Sequence, residues 1–447
     1  MDARCWIDAF FGRKPEPQTG LTLGLSRGTR APVVVSDDVM RSHLAISGKV
    51  GVDISLLLER MLRQQTEQGR GWVYFDTFSD SDLLARMAQF AREQGREDEF
   101  YVIDLSEPEK SHAYAPLRSG TPDERASRAV LSLPLVVDNP GADFYRQEAN
   151  YVLTVLLAAV EASGRVIGMR DLGLLPTRLG NERVLAQLLD GIPAGHPARG
   201  QLLLMLDNYR LGDGSLDEAK LKASLGGIGG RLFLLGDGPY RRVTDAVQPE
   251  VDFADILTQN KMCYVKMSPL DMEHTQPIIA RLLMHDFFTA VDARARLPRR
   301  MRTPFLAVLN HFGSNGPIRA TWFERARAMK VCMVPVLYGG WEAARNYSDV
   351  VDILAANTFS KVYFQQPGIA SVPAADPGPE AGNLESLRIG EFVYREGAFT
   401  QRGVVPPRDV SEAHTPVDAR AFRPRRMQPV PAHARFELED NPDEVTS

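Results

Sequence analysis

The sequence predicts an α/β protein with a mostly parallel sheet and an all-helical insertion. Short apolar runs alternate with helical periodicity over residues 31–108 and again over 261–364, which is typical of β-α-β units. Between these two stretches, residues 121–235 show almost only helical periodicity. We therefore expect the helical stretch to interrupt one α/β domain.

The first α/β stretch contains strands and amphipathic helices of ordinary length, and Ser79 or Asp80 stands where a side chain would cap the second helix. Residues 1–30, rich in Gly and Arg, are expected to end in a polar loop. We expect strands at 31–40, 43–47, 71–80 and 100–108, and helices at 55–68 and 81–95.

The rest of the chain is assigned from the same apolar runs and helical periodicity, and residues 388–407 have the pattern of a hairpin. We expect helices at 143–164, 182–192, 198–212, 276–296, 322–330 and within 348–364, and strands at 261–267, 303–312 and 331–340. The predicted domains are 1–117 and 239–400 for the two parts of the α/β domain, 118–238 for the all-α insertion, and 401–447 for a Pro- and Arg-rich tail.

Composition excludes several broad classes of protein. The 447 residues are 44% hydrophobic and 24% charged, which is ordinary for a globular chain and excludes general disorder. A net charge of −5 excludes a general attraction to phosphate backbones or anionic membranes. Local basic patches stay open, and the arginine clusters that motivate them are Arg299, Arg300, Arg302, Arg423, Arg425 and Arg426.

The cysteines and apolar runs indicate a cytoplasmic protein. Cys5, Cys263 and Cys332 are far apart, and the last two lie in apolar runs, so we expect buried, reduced thiols. The longest apolar stretches, such as 152–160, fall short of the ~20 residues that cross a membrane. The N-terminus lacks the long apolar core of a signal peptide.

A strand, a Gly-containing turn and a helix follow one another at residues 43–68, as in phosphate-binding loops. The loop pattern GxxxxGK[ST] aligns with Gly48, Lys49, Val50, Gly51, Val52, Asp53, Ile54 and Ser55. Gly48, Gly51 and Ser55 fit this pattern. Asp53 stands in place of the second glycine, and Ile54 in place of the lysine.

Both replacements oppose triphosphate binding. Isoleucine cannot neutralise the β- and γ-phosphates, and a carboxylate ~4 Å from a phosphate charge costs ~1 kcal/mol in water and more when partly buried. Lys49 is an alternative source of positive charge, one residue after the first glycine. An ordinary strand–loop–helix turn is the favoured interpretation.

The apolar run 305–309 is the candidate acidic strand. Hydrolysis needs an aspartate for Mg²⁺ and a glutamate to position water, but Asn310 and His311 follow this run. Asn310 is at best a weak metal ligand, and His311 is expected to be an ordinary surface or satisfied histidine.

The order of these segments resembles the TraD/TraG-type coupling proteins of type IV secretion and conjugation, within the FtsK/HerA group of RecA-like P-loop NTPases. The resemblance covers residues 20–400 and rests on HLAISGKVGVDIS, the strand WVYFD, KMCYVKMSPL, RAMKVCMVPVLYGG and ANTFSKVYFQQPG. It implies a RecA-like fold, an inserted all-α domain and a sensor position at Tyr338, where the family has glutamine. It also implies that Arg327 matches an arginine that acts across a subunit boundary, or is a plain surface residue.

All departures from the family pattern fall at positions that bind or hydrolyse nucleotide, so the resemblance implies a pseudo-ATPase that needs no cofactor. The favoured hypothesis is a docking or substrate-recruitment subunit of a type IV secretion system. Its partners would be a coupling ATPase or other secretion subunits, and a protein substrate through the helical domain. Having no anchor, it would reach the inner membrane only through partners. Two alternatives stay open: an active DNA-pumping ATPase using ATP and Mg²⁺, and a nucleic-acid-binding module, DNA being the less favoured partner.

Overall fold

The structure is a computed structural model, and the residues that it describes are 19–132, 140–224, 227–246, 248–267, 276–310, 319–338, 348–366, 384–407, 435–436 and 438. The side chains of 140–143, 276–277, 348–351 and 435 are not described. The chain divides into two compact units. Unit 1 comprises Met1–Trp72, Pro298–Gly313 and Pro317–His414, and unit 2 comprises Val73–Leu297, Ser314–Gly316 and Thr415–Ser447.

Unit 1 contains most of the predicted strands. Its strands are β1 (Gly20–Ser26), β2 (Pro32–Ser36), β3 (Leu44–Gly48), β8 (Phe305–Leu309), β9 (Val331–Tyr338), β10 (Ser360–Tyr363), β11 (Glu391–Glu396) and β12 (Phe399–Val404). Its helices are α1 (Asp37–Met40), α2 (Ile54–Glu67), α14 (Ala320–Ala328) and α15 (Ser348–Asn357). The predicted hairpin over 388–407 is confirmed as β11 and β12.

The sheet of unit 1 runs in the order β2-β1-β12-β11-β10-β3-β9-β8. The four strands β10, β3, β9 and β8 are parallel to one another, and the pairings from β10 outward to β2 are antiparallel. Every residue of β3 and β8 is buried, which explains why these strands appear in the sequence as continuous apolar runs.

Strand β1 is absent from the sequence-based expectation, which placed a polar loop at the end of residues 1–30. Its sequence GLTLGLS alternates leucine with small residues, so its weak signal has period two. Glycine lowers strand propensity, but here Gly24 is required by contact. An added Cβ at Gly24 would lie 2.3 Å from the carbonyl oxygen of Val404 in β12.

His43, which precedes β3, joins three elements of unit 1. It is 2% exposed; its Nδ1 accepts a hydrogen bond from the Met333 backbone N–H of β9 at 3.0 Å, and its Nε2 donates to the Phe323 carbonyl of α14 at 2.8 Å. Both ring nitrogens are therefore used by the neutral imidazole. Burial lowers the pKa of His43 to about 4; the Phe323 hydrogen bond opposes this shift, and the nearby Arg327 charge adds to it.

We expect His43 to make unit 1 acid-sensitive. The unfolded imidazole, with a pKa of 6.5, binds a proton that the folded one refuses until about pH 4. The free energy of unfolding should therefore fall by up to about 3 kcal/mol as the pH drops through this window. Urea unfolding at several pH values checks this against His43→Gln, whose amide does not titrate. Identical pH slopes in the two proteins would contradict the assignment.

Unit 2 contains three adjacent strands of the large sheet, β4 (Trp72–Asp76, from Val73 onward), β7 (Met262–Lys266) and β5 (Phe100–Asp104), in that order, with β7 and β5 parallel. A separate small sheet pairs β6 (Val166–Ile167) with β13 (Arg435–Phe436). Its helices are α3 (Ser81–Glu93), α4 (Pro122–Leu131), α5 (Pro140–Ala162), α6 (Met169–Arg178), α7 (Glu182–Gly191), α8 (Pro197–Asp207), α9 (Glu218–Ser224), α10 (Ile228–Asp237), α11 (Arg241–Thr244), α12 (Phe253–Gln259) and α13 (Gln276–Val291).

Side-chain caps begin two of these helices, and the sequence indicated the first of them. Asp80 accepts a hydrogen bond from Leu83 N–H at 2.8 Å and caps α3, as predicted. Thr121 and Glu124 form a capping box at α4. Cys263 and Cys332 are buried free thiols, as expected, and burial raises the pKa of each; Cys5 lies outside the described residues. Within the described part of the chain, no helix is long and apolar enough to span a membrane.

A buried ion pair joins α4 to α13. Arg128 and Asp286 are 1% and 3% exposed at their side chains, with 2.8 Å between Nη2 and Oδ1. Tyr114 donates to Oδ2 of Asp286 at 2.6 Å, and Ser119 donates to Oδ1. Burial raises the pKa of Asp286, and the neighbouring guanidinium opposes that shift. The helical stretch is therefore attached to α13 by a charge pair whose partners need each other.

Removing one member of this pair should be costly. We expect Arg128→Met to lower the free energy of unfolding by about 3–5 kcal/mol, because Asp286 would stay buried without its counter-charge. Ser119→Ala, which removes one hydrogen bond from the same carboxylate, should cost only about 1 kcal/mol. Chemical denaturation measures both variants. Equal losses would show that the ion pair contributes nothing beyond packing.

Candidate functional site

The candidate phosphate loop lies where β3 ends and α2 begins, entirely within unit 1. Its first turn is fixed by the segment that follows β10. The Lys49 N–H donates to the Gln365 carbonyl at 2.9 Å, and Gln366 Nε2 donates to Ser47 Oγ at 2.9 Å. A phosphate loop needs its backbone N–H groups directed at the ligand. Here the N–H of Lys49 is already used within the chain.

The backbone of the loop retains the conformation that glycine favours, although one glycine is replaced. Gly51 has a φ of +84° and Asp53 a φ of 64°. Asp53 is in the left-handed region, which aspartate tolerates better than most residues, and its side chain makes no capping hydrogen bond to α2. Its carboxylate instead lies near Gly390, where an added Cβ would be 3.4 Å from Oδ2. The turn therefore survives with a negative charge in it.

Apolar side chains fill the inside of the turn. Val52 and Ile54 are 1% and 2% exposed. An ideal Cβ added to Gly48 would lie 2.7 Å from Phe364 Cβ, 3.1 Å from Ile54 Cδ1 and 3.2 Å from Val52 Cγ2. We call Val52, Ile54 and Phe364 the apolar plug. It closes over the backbone of Gly48, on the inner side of the turn.

Other side chains of the loop are in contact with solvent. Lys49 and Ser55 are exposed, as is Val50. The alternative in which Lys49 supplies charge to a phosphate therefore starts from a solvent-exposed side chain.

The structure brings three of the sequence-predicted positions to one edge of the sheet. Strands β3, β9 and β8 are adjacent and parallel, so their carboxyl ends meet. Tyr338, the last residue of β9, pairs with Gly48. Asn310 follows β8 directly and is 4% exposed. His311 lies outside the described residues.

Arg327 lies at the opposite end of the parallel strands, near their first residues. It is exposed near the end of α14, just before β9 begins. With His43, Phe359 and Lys361, which precede or begin neighbouring strands, it lines a cavity of about 580 Å³. Arg327 therefore cannot reach the loop of its own chain, which leaves only a role toward another molecule or none.

These residues do not fit magnesium triphosphate. Ile54 is an aliphatic group inside the turn where a lysine would be needed, Asp53 adds a negative charge, and Asn310 offers a neutral amide in place of a carboxylate. The retained feature is the shape of the strand–loop–helix unit. The arrangement can support packing and docking, and no catalytic step follows from it.

Two features of the site escaped the sequence analysis. Phe364 and Gln366 come from the segment after β10, far from the loop in sequence, and nothing in the loop motif points to them. The one signal that the loop itself carried is Ile54, an aliphatic side chain at the position where the pattern has lysine.

Comparisons with known proteins address the fold. No family model matches the chain. Over 171 residues it is 28% identical to the type 4 coupling protein DotL of Legionella pneumophila, which covers 36% of this chain and 21% of DotL. The chain thus spans well under two thirds of that relative.

Solved structures match over most of the chain. The conjugative coupling protein TrwBΔN70 in an unbound form has a TM-score of 0.59 at 12% identity, covering 91% of this chain and 92% of TrwB. TrwB in complex with ADP and Mg²⁺ gives 0.57 at 14% identity, over 91% and 92% of the two chains. VirB4 of Thermoanaerobacter pseudethanolicus gives 0.53 at 14% identity, over 88% and 98%. These matches confirm the predicted RecA-like α/β fold, and the chain is coupling-protein-like in architecture.

Restoring the motif lysine should destabilise the protein. We expect Ile54→Lys to lower the free energy of unfolding by about 3 kcal/mol or more, because an ammonium group would replace a side chain buried in the apolar plug. Ile54→Val, which keeps the plug apolar, should cost about 0.5–1.5 kcal/mol. Urea titration measures the free energy of unfolding of both variants and of the wild type. An Ile54→Lys variant as stable as the wild type would mean that the inside of the turn is open to charge.

Proposed function

We propose that this chain is a coupling-protein-like component of a type IV secretion or conjugation system that does not hydrolyse ATP. It acts as a docking or substrate-recruitment subunit. The observation that carries the proposal is the apolar plug, in which Ile54, at the position of the phosphate-binding lysine, is buried against Gly48 together with Val52 and Phe364.

Displacement of the apolar plug would make the free energy of nucleotide binding less favourable. Burying a valine or isoleucine side chain contributes about 1.5–3 kcal/mol. A triphosphate could enter the turn only if Val52 and Ile54 were displaced, so that stabilisation would be lost on binding. The Asp53 carboxylate adds repulsion. A protein that binds ATP productively would need compensating cations, and Lys49 has its side chain on the outer surface.

The residues at the carboxyl ends of β8 and β9 also oppose ATP hydrolysis. Magnesium-assisted hydrolysis needs carboxylates to hold the metal and to position water. Asn310 at the end of β8 has a neutral side chain, and Tyr338 stands beside Gly48 at the sensor position. Neither can take the proton or bear the charge that the reaction requires.

The scaffold does not depend on this chemistry. Strands β3, β8 and β9 are buried almost throughout, and their stability comes from apolar burial and the parallel ladder. Replacing catalytic groups by apolar ones relieves the strain that active sites carry. A RecA-like surface can therefore persist as an interaction module after catalysis is lost.

Partners and position follow from the same analogy. DotL and TrwB are coupling proteins by name. We infer that this chain pairs with a coupling ATPase or other secretion subunits, and that residues 118–238 form an all-α domain that recruits a protein substrate. It would then lie at the cytoplasmic side of the inner membrane, held there by its partners.

ATP should leave the stability of the protein unchanged. A ligand at one hundred times its Kd, such as 1 mM ATP with a Kd of about 10 μM, would raise the free energy of unfolding by about 2.7 kcal/mol. We expect no shift in Tm with 1 mM ATP and 5 mM MgCl₂, and no phosphate release.

The outcome that contradicts the proposal is specific. It is a rise in Tm, or turnover of about 1 s⁻¹, that a loop variant such as Gly51→Val abolishes. Gly28→Val, in an exposed turn where an added Cβ meets nothing within 4 Å, serves as the control that leaves either signal unchanged.

A further inference from the structure

A short segment near the C-terminus is paired with the helical part of unit 2. Residues Arg435 and Phe436 form β13 and lie parallel to Val166 and Ile167 of β6, in the register Arg435 to Val166 and Phe436 to Ile167. The two strands come from distant parts of the sequence, and they form a separate two-stranded sheet. The contact is therefore an extended segment added to a short exposed edge.

Two apolar side chains hold this segment in place. Phe436 is fully buried and Leu438 is 7% exposed. These two buried side chains are two residues apart in the sequence. Two-residue ladders carry few hydrogen bonds, so the side chains must provide most of the attachment.

Arg165, just before β6, contacts the same segment. Its guanidinium carbon lies 5.8 Å from the centroid of the Phe436 ring, in cation–π geometry. Its Nη1 is buried and has no hydrogen-bond partner among the residues that the structure describes. The site thus has an aromatic contact satisfied by Phe436 and one buried donor still able to bind an acceptor.

A cavity adjoins the pairing edge. It has a volume of about 430 Å³, and Arg165, Val166, Ile167 and Arg118 are among the residues that line it. The segment itself is acidic, since Phe436 and Leu438 alternate with Glu437 and Glu439 and are followed by Asp440. The lining of the cavity carries both signs of charge, with carboxylates beside the arginines. The spacing of Phe436 and Leu438 therefore distinguishes the occupant, and its charge does not.

We propose that β6 and Arg165 form a peptide-docking site, that residues 435–436 and 438 occupy it in cis, and that it binds an extended peptide of a partner protein in trans. That peptide carries an aromatic residue and a branched aliphatic residue two positions later. The mode is addition of a strand to a sheet edge, in which side-chain pockets give specificity.

The cis segment lowers the apparent affinity of the site for a free peptide. Because it is part of the same chain, it competes at a high effective concentration, and a free peptide binds only as well as the cis segment allows. The inference takes only its biological setting from the proposed docking role. Peptide binding is measured without nucleotide, so its failure would leave the argument from the apolar plug intact, and ATP turnover would leave peptide binding intact.

The test uses the full chain and a fluorescein-labelled synthetic peptide of residues 434–441, followed by fluorescence polarisation. We expect Phe436→Ala/Leu438→Ala to bind the peptide at least tenfold more tightly than the wild type, because the competing cis segment is weakened. Phe399→Ala, which truncates a 57% exposed phenylalanine of unit 1, should bind as the wild type does. A peptide with alanine in place of its phenylalanine should not bind, and Arg165→Gln added to the double variant should weaken binding at least fivefold.

Two results would overturn the proposal. One is no gain in peptide affinity in the double variant, which would make β13 a permanent part of the fold. The other is binding that does not depend on the peptide's phenylalanine. If the double variant loses helical circular dichroism, Leu438→Ala alone provides the same comparison, with an expected gain of at least threefold.

Discussion

The close packing around the backbone of Gly48 fixes the turn between β3 and α2. No Cβ fits at Gly48, because Phe364 approaches from the segment after β10 while Val52 and Ile54 approach from the turn. In the same segment, the Gln365 carbonyl accepts a hydrogen bond from the Lys49 N–H, and the Gln366 side chain donates one to Ser47. The turn is therefore held by contacts within the protein, in the place where a phosphate loop binds its ligand.

These contacts within the chain explain how the turn keeps its shape without the glycine and lysine of the loop pattern. Asp53 has a left-handed backbone at the position of the second glycine, and α2 starts at the next residue. An apolar plug stabilises such a turn without the cost of holding bare N–H groups toward solvent.

Unit 2 adds a buried charge pair to its apolar core. Arg128 and Asp286 are almost fully buried and join the helical stretch to α13. Buried pairs of this kind add little net stability, yet they penalise any arrangement that separates them. The pair therefore fixes how α4 packs on α13. The pairing of β6 with β13 lies elsewhere in unit 2 and has a register of only two residue pairs.

The sequence by itself determined the α/β class, most strands of the large sheet, the longest helices and the presence of Ile54 at the position of the motif lysine, because apolar periodicity and single side-chain identities are local properties. It gave no separate position to the shorter helices α1, α4, α6, α9, α10, α11 and α12. It failed at β1, whose glycines hide a strand that the neighbouring β12 requires. Tertiary structure alone decided that Ile54 faces inward against Gly48, that Tyr338 stands beside the loop, and that Arg327 lies at the far edge. It also decided that Phe436 returns to β6. These are contacts between segments far apart in the chain, and their geometry depends on how the sheet orders its strands, which no local pattern encodes.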